Sequence, residues 1–392
     1  MKIAINARFS GQNIMEGYGR FTNGLVTAMA SAQPEDEFVM MYDRQPEISV
    51  IRGGNVKDMV KGPAARHPLL WKLWYDVSMP AMAGKAKADV IFSPDGFCSL
   101  HCSIPQVLAI HDLAYLHFPA GISGLYRWYY SHYTPLFIRK AKHIVTVSEF
   151  SMRDIIAHYP QAKGKISVVH NAADKGFHPL DWKERELVKE KHAGGSEYFL
   201  YAGSIHPRKN LLNLLKGFSW FKKRQRSSMK LILAGRLAWG ADEFIKQMQS
   251  YKYRDEVILA GYVTDVEMQQ LAGAAYALVY PSHWEGFGLP VLEAMQSGVP
   301  VITSSNSSMP EICGDAAMYC EPGDSEAWGK AMGHLYKDEN YRAALITKGI
   351  DRASMFSWER SANKLWEIFD REIGRTVEPI FFLSASLSIF LA

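Results

Sequence analysis

The chain alternates short apolar runs with longer amphipathic stretches from one end to the other. In the first half the runs are KIAIN, EFVMMYD, ADVIFSP, QVLAIHD, HIVTVSE and ISVVHNA. In the second they are YFLYAG, KLILAG, VILAGYV, YALVYPS, PVITSS and AMYCEP. Apolar runs of this length, bounded by Gly, Pro, Asn or Asp, read as strands. Helical patterns lie between them, notably at 19–32 and 122–140, and again starting near Lys209, Ala241, Asp265 and Pro290. Strands separated by helices predict parallel sheets built from βαβ units. Runs such as LILAG and VILAG have no polar face, which suits strands covered on both sides. One charged stretch, NAADKGFHPLDWKERELVKEKHAGGSE, interrupts the alternation. The chain therefore reads as two doubly wound α/β domains, residues 1–178 and 179–356. A helix near 357–375 is expected to pack back on the first domain, and 377–392 forms an apolar tail. Ligands of such domains sit beyond the carboxyl ends of the strands, here in the cleft between the two.

The densest chemistry follows the run YALVYPS. The loop HWEGFG ends at Gly288, Pro290 suits the first turn of a helix, and Gly298 suits its end. On this reading Glu285 lies in the loop and Glu293 in the first helical turn. Gly286 and Gly288 let backbone approach a ligand closely, and a helix start carries roughly half a positive charge. Two carboxylates beside such an anion site need another partner, and vicinal sugar hydroxyls provide one. The run YFLYAG is followed by SIHPRKNLL, which brings Arg208 and Lys209 to the start of the next helix. Adjacent cations there oppose the helix dipole unless an anion such as a diphosphate offsets them.

The pattern E-G-F-G-L-P-x-L-E-A-M-x-x-G-x-P-V, preceded by G-S-x-x-P-R-K-N-L, resembles a retaining glycosyltransferase of family 4 with the GT-B fold. The likeness extends over roughly residues 2–370 and leans toward the mannosyltransferases. It implies two Rossmann-like domains facing across a cleft. It implies that Glu285 faces the donor sugar and that Glu293 holds the ribose. Arg208 and Lys209 would neutralise the diphosphate, and the amides of Phe287, Gly288 and Leu289 would line sugar and phosphate together with Gly286. The segment MEGYGRFTNGL resembles the family's first glycine loop, although Glu16 stands where a glycine is usual. Gly17 and Gly19 are its donor-side candidates. His111, at the end of QVLAIHD, matches the histidine that reaches the transferred sugar. Ser148 or Glu149 of VSEFS reads as a helix cap. Val263 is the candidate for the base, while Thr264 and Glu267 form a capping-box pattern that explains the same loop without a ligand.

The implied reaction moves a hexose from a nucleoside-diphosphate sugar, with GDP-mannose favoured over UDP-sugars, to a glycan or lipid-linked acceptor. Stereochemistry should be retained. No metal or other cofactor is expected, and no Asp-x-Asp motif is present. Two alternatives remain open at this level: a two-carboxylate glycoside hydrolase and an inactive sugar-nucleotide-binding subunit.

Charge and composition narrow the partners. Net charge is only +4, which does not suggest nucleic acid. The four cysteines, at 98, 102, 313 and 320, suit a reducing cytoplasm better than a disulfide framework. No run reaches the roughly 18 apolar residues that span a bilayer. The basic, aromatic stretch LYRWYYSHYTPLFIRKAKH and the run WFKKRQR suggest peripheral contact with an anionic membrane from the cytoplasmic side.

Overall fold

The computed structural model describes residues 1–13, 17–48, 53–238 and 240–375. Glu16 of the glycine loop and the 377–392 tail lie outside the described residues.

Among the described residues the strands form two sheets, parallel throughout. The first contains β1 (Lys2–Asn6), β2 (Glu37–Tyr42), β3 (Val56–Val60), β4 (Val90–Ser93), β5 (Gln106–Ala109), β6 (His143–Thr146) and β7 (Ile166–Val168). Their order is β3-β2-β1-β4-β5-β6-β7. The second contains β8 (Tyr198–Ala202), β9 (Lys230–Ala234), β10 (Val257–Gly261), β11 (Ala277–Tyr280), β12 (Val301–Ser304) and β13 (Ala317–Cys320), in the order β10-β9-β8-β11-β12-β13. All twelve apolar runs are strands. The edge strand β3, VKDMV, has no such run behind it. It is largely exposed and registers on β2 from Phe38–Val56 to Tyr42–Val60.

The first sheet is covered on both faces, and successive side chains go to opposite cores, as strand pleating requires. Ile3 and Ile5 join one core, Ala4 the other. The strand order reverses between β1 and β4 and between β8 and β11, the two crevices where doubly wound sheets bind ligands.

The last described helix, Trp358–Glu372, leaves the second lobe and packs on the first. Trp358 lies over Gly24 of the helix Gly17–Ala32, where a Cβ would come within 2.3 Å of the indole. Phe21 meets Trp358 at 6.2 Å between ring centres, Phe38 meets Trp366 at 6.2 Å, and Phe92 meets Phe369 at 5.8 Å. This helix supplies one of the two covers of the first sheet.

Candidate active site

The turn after β8 and the loop after β11 flank the reversal point of the second sheet. Arg208 and Lys209 do not open a long helix. They occupy a separate 3-10 turn, Pro207–Lys209, and the helix Leu211–Gln225 begins beyond it. Asn210 separates the two with a left-handed backbone, φ 61°, which asparagine tolerates better than most residues. Its side-chain amide donates to the carbonyls of Pro281 (2.9 Å) and Pro322 (2.6 Å). The His283 N–H donates to the Arg208 carbonyl at 2.9 Å. These bonds dock the cationic turn against the Glu285 loop.

Glu285 and the two cations form one cluster rather than separate anion and sugar sites. Lys209 Nζ lies 2.5 Å from Glu285 Oε1 and 2.7 Å from the Tyr280 hydroxyl. Arg208 lies 3.3 Å from Glu285 Oε2 and donates to the Trp284 carbonyl. Ser282 donates to Glu285 Oε1. Burial alone would push the Glu285 carboxyl up, but the charges of Lys209 and Arg208 outweigh it and hold the pKa at about 2. Burial works against the Lys209 ammonium and lowers its pKa; at Arg208 burial is outweighed by Glu285, Asp112 and Tyr280 together, and the pKa of the guanidinium is raised. Within the cluster one carboxylate bridges two cations, and Asp112 of the first lobe adds its charge beside them.

The loop itself offers donors. Gly288 has φ +100°, a conformation other residues adopt only under strain. The N–H groups of Gly286, Phe287 and Gly288 have no hydrogen-bond partner among the described residues. Gly286 lies against the first lobe, where a Cβ would meet the His111 carbonyl and Asp112 Oδ2, each at 2.9 Å. The Phe287 ring turns away to His170 and Phe356, with ring centres 6.1 and 5.9 Å distant.

Glu293 corrects one expectation. The helix runs Leu289–Gln296, so Glu293 is its fifth residue, past the first turn, and cannot cap it. It is 9% exposed, and no described side chain donates to its carboxylate. Burial pushes its pKa up to about 7; Arg20 pulls it down while Asp265 and Asp174 add to the rise. Asp265, at the start of the preceding helix, is ion-paired with Arg20 across the cleft. Thr264 and Glu267 do form the capping box of the helix Asp265–Ala274, with Val263 beside it, partly buried.

His111 is held by a bond between Nε2 and the Pro94 carbonyl at 3.0 Å. Tyr18 and Phe21 pack on its ring, each 4.7 Å away. Burial lowers its pKa to about 4, so the ring is neutral near pH 7. With Nε2–H committed to Pro94, Nδ1 remains as an acceptor. Gly17 begins its helix in open space, and Gly19 is buried two residues on.

A second group was not found from sequence. At the reversal point of the first sheet, the buried Arg8 donates to the Tyr75 hydroxyl (3.4 Å). Asp95 accepts from Tyr75 (2.5 Å) and from Asn6 (2.9 Å). Arg8 Nε and Asp95 Oδ1 are buried without a described partner. The available signal was a cation two residues past an apolar strand, in NARF. The run WFKKRQR is less basic at its surface than it reads: Lys222 turns inward to Glu256 and to the Met229 carbonyl at 3.1 Å.

All four cysteines are buried and free. Among the described residues His117, Asp154 and His158 alone come together as possible metal ligands, and His117 stacks on Trp284, next to Glu285, with ring centres 3.8 Å apart. No described helix is long and apolar enough to cross a membrane.

Residues 20–177 match the family model described as Glycosyltransferase Family 4, and 183–352 match Glycosyl transferases group 1. Over 356 residues the chain is 29% identical to O-antigen chain mannosyltransferase B of Escherichia coli, covering 88% of this chain and 93% of that one. It is 29% identical over 296 residues to O-antigen chain mannosyltransferase RfbU of Salmonella typhimurium, covering 73% and 76%. Sucrose-phosphate synthase from Thermosynechococcus elongatus has the same fold, with a TM-score of 0.75 at 18% identity over 95% of this chain and 99% of that one.

Proposed function

For a chain that belongs to the glycosyltransferases in which a family 4 domain precedes a group 1 domain, we propose metal-independent, retaining transfer of a hexose from a nucleoside-diphosphate sugar to a glycan or lipid-linked hydroxyl. The observation that carries this reading is the buried Arg208–Lys209–Glu285 cluster beside the unpaired amides of Gly286, Phe287 and Gly288. When the bond from sugar to diphosphate breaks, negative charge grows on the leaving oxygen. Preorganised cations and amides stabilise that charge without reorganising. Arg208 and Lys209 act there, and Glu285 fixes both and faces the sugar. A metal would duplicate charge the protein already supplies. Both oxygens of Glu285 are engaged by cations, so it is a poor covalent nucleophile. We favour attack from the leaving-group face, with a diphosphate oxygen taking the acceptor's proton.

Glu293 is assigned to the ribose and Val263 to the base. Gly17 and Gly19 close the donor site from the first lobe, with Leu289 at the helix start. His111, neutral and rigidly held, offers Nδ1 to a hydroxyl of the transferred sugar. GDP-mannose is the favoured donor, because the two curated relatives are named as mannosyltransferases of O-antigen chains. The enzyme would then work in cell-surface polysaccharide assembly at the cytoplasmic face of a membrane. The exposed Leu125 and Trp128, beside Arg127 on one helix, support peripheral contact with anionic lipid.

Calorimetric titration with GDP, UDP, ADP and dTDP, in EDTA, tests the core of this. GDP should bind tightest and without metal. Tight binding of UDP alone would move the donor class, and no binding by any of the four would overturn the diphosphate site.

A further inference from the structure

The helix Glu149–His158 belongs to the first lobe, and its opening amides have no partner within the helix itself. Ser148 Oγ accepts from the Ser151 N–H at 3.0 Å, an ordinary cap. The two preceding amides are satisfied from the other lobe. Glu149 and Phe150 donate to the Glu311 carboxylate at 2.9 and 3.0 Å. His170 Nε2 lies 3.1 Å from the same group. All three partners of the Glu311 carboxylate are thus first-lobe residues, while Glu311 itself lies in the second-lobe helix Met309–Cys313.

The same junction grips the donor loop. Ser308 Oγ lies 2.9 Å from both the Glu285 and the Phe287 carbonyls. The Gly286 carbonyl between them accepts from Ser148 at 2.6 Å and from Ser151 at 3.2 Å. In a planar trans peptide the carbonyl of one residue and the N–H of the next point in opposite directions. Holding three successive carbonyls therefore sets the direction of the Gly286, Phe287 and Gly288 amides. The middle peptide, which carries the Phe287 N–H, is held by the first lobe.

We propose that Glu311 is a positioning residue that latches the two lobes, and that through this latch Ser148 aligns the Phe287 amide for the donor diphosphate. The second lobe can bind nucleotide alone, but its loop is completed by the first. The proposal rests on the donor-site reading of the 285–289 loop.

The test compares wild type with Glu311→Ala, Glu311→Gln and Ser148→Ala. Three readouts are used: small-angle scattering without ligand, calorimetry with GDP and UDP, and turnover of GDP-mannose and UDP-glucose followed by nucleotide release. Glu311→Ala should enlarge the radius of gyration and lower kcat on the order of 10²-fold, as misplacement of a reacting group by about 1 Å does. Nucleotide affinity and KM should change little. Glu311→Gln, which keeps one acceptor oxygen, should recover part of the loss, and Ser148→Ala should lower kcat without changing the radius. An unchanged radius in Glu311→Ala overturns the latch. An unchanged kcat in both alanine variants overturns the positioning role. A wild type that binds neither nucleotide overturns the donor-site reading and the positioning role with it, and scattering still decides the latch.

Discussion

Glu285 and Glu293 stand eight residues apart, both buried, and their surroundings drive their carboxyls in opposite directions. Glu285 stays ionised because two cations hold it, whereas Glu293 has no donor and is pushed to about 7. For a carboxyl with a raised native pKa, the folded state keeps its proton while the unfolded chain loses it. Stability is therefore lost as pH rises from the unfolded value of 4.5 toward about 7, and the cost is constant above that. Glu293→Gln should remove this slope. Its stability relative to wild type should improve between pH 5 and pH 8, by on the order of 2–3 kcal/mol in urea melts. A difference that does not change with pH would show that the carboxyl titrates normally. The sequence made both glutamates visible through their glycine and proline context. It could not show that Glu285 and the Arg208–Lys209 pair are one unit, because their contact spans 76 positions and is made by the fold. Arg8 was missed for a similar reason: its partner Tyr75, and Asp95 bonded to Tyr75 in turn, lie far along the chain.

At the scale of elements, strands were readable wherever both faces are covered, since burial then demands an unbroken apolar run. β3 escaped because an exposed edge strand needs no such run. The 285–289 loop shows a tighter demand. Gly286 packs its backbone against the His111 carbonyl, which is main chain and cannot swing aside, and against the Asp112 side chain, whose other oxygen accepts from the Ala114 N–H at 2.9 Å. Gly286→Ala should force the loop from the first lobe and lower turnover on the order of 10²-fold, with the melting temperature nearly unchanged. Turnover close to wild type would mean that the loop adjusts without cost to the site. The Gly288 position, at φ +100°, is of the same kind, and glycine there was legible from the motif alone.

At the scale of the whole molecule, the two-domain reading followed from the interrupted strand–helix alternation. The fold adds that the lobes share a helix. Trp358–Glu372 covers the first sheet although it follows the second lobe in sequence, and its seat depends on the bare backbone at Gly24. Gly24→Ala places a methyl group into the Trp358 indole. It should cost about 1–3 kcal/mol, as overpacking does elsewhere, read as a lower denaturant midpoint. An unchanged midpoint would mean the helix is not firmly seated.

The shared helix also means that the polypeptide crosses from lobe to lobe twice. The outward crossing follows His170, and the return crossing passes Phe356. The two run side by side, with ring centres 5.4 Å apart and the Ser361 hydroxyl donating to the His170 carbonyl at 2.7 Å. A body hung on one strap can swivel in any direction, but one hung on two adjacent straps swings like a door about the line through them. Phe356 of the return crossing lies 5.9 Å from the Phe287 ring, so a swing about that line would displace the far rims of the lobes most and the 285–289 loop least.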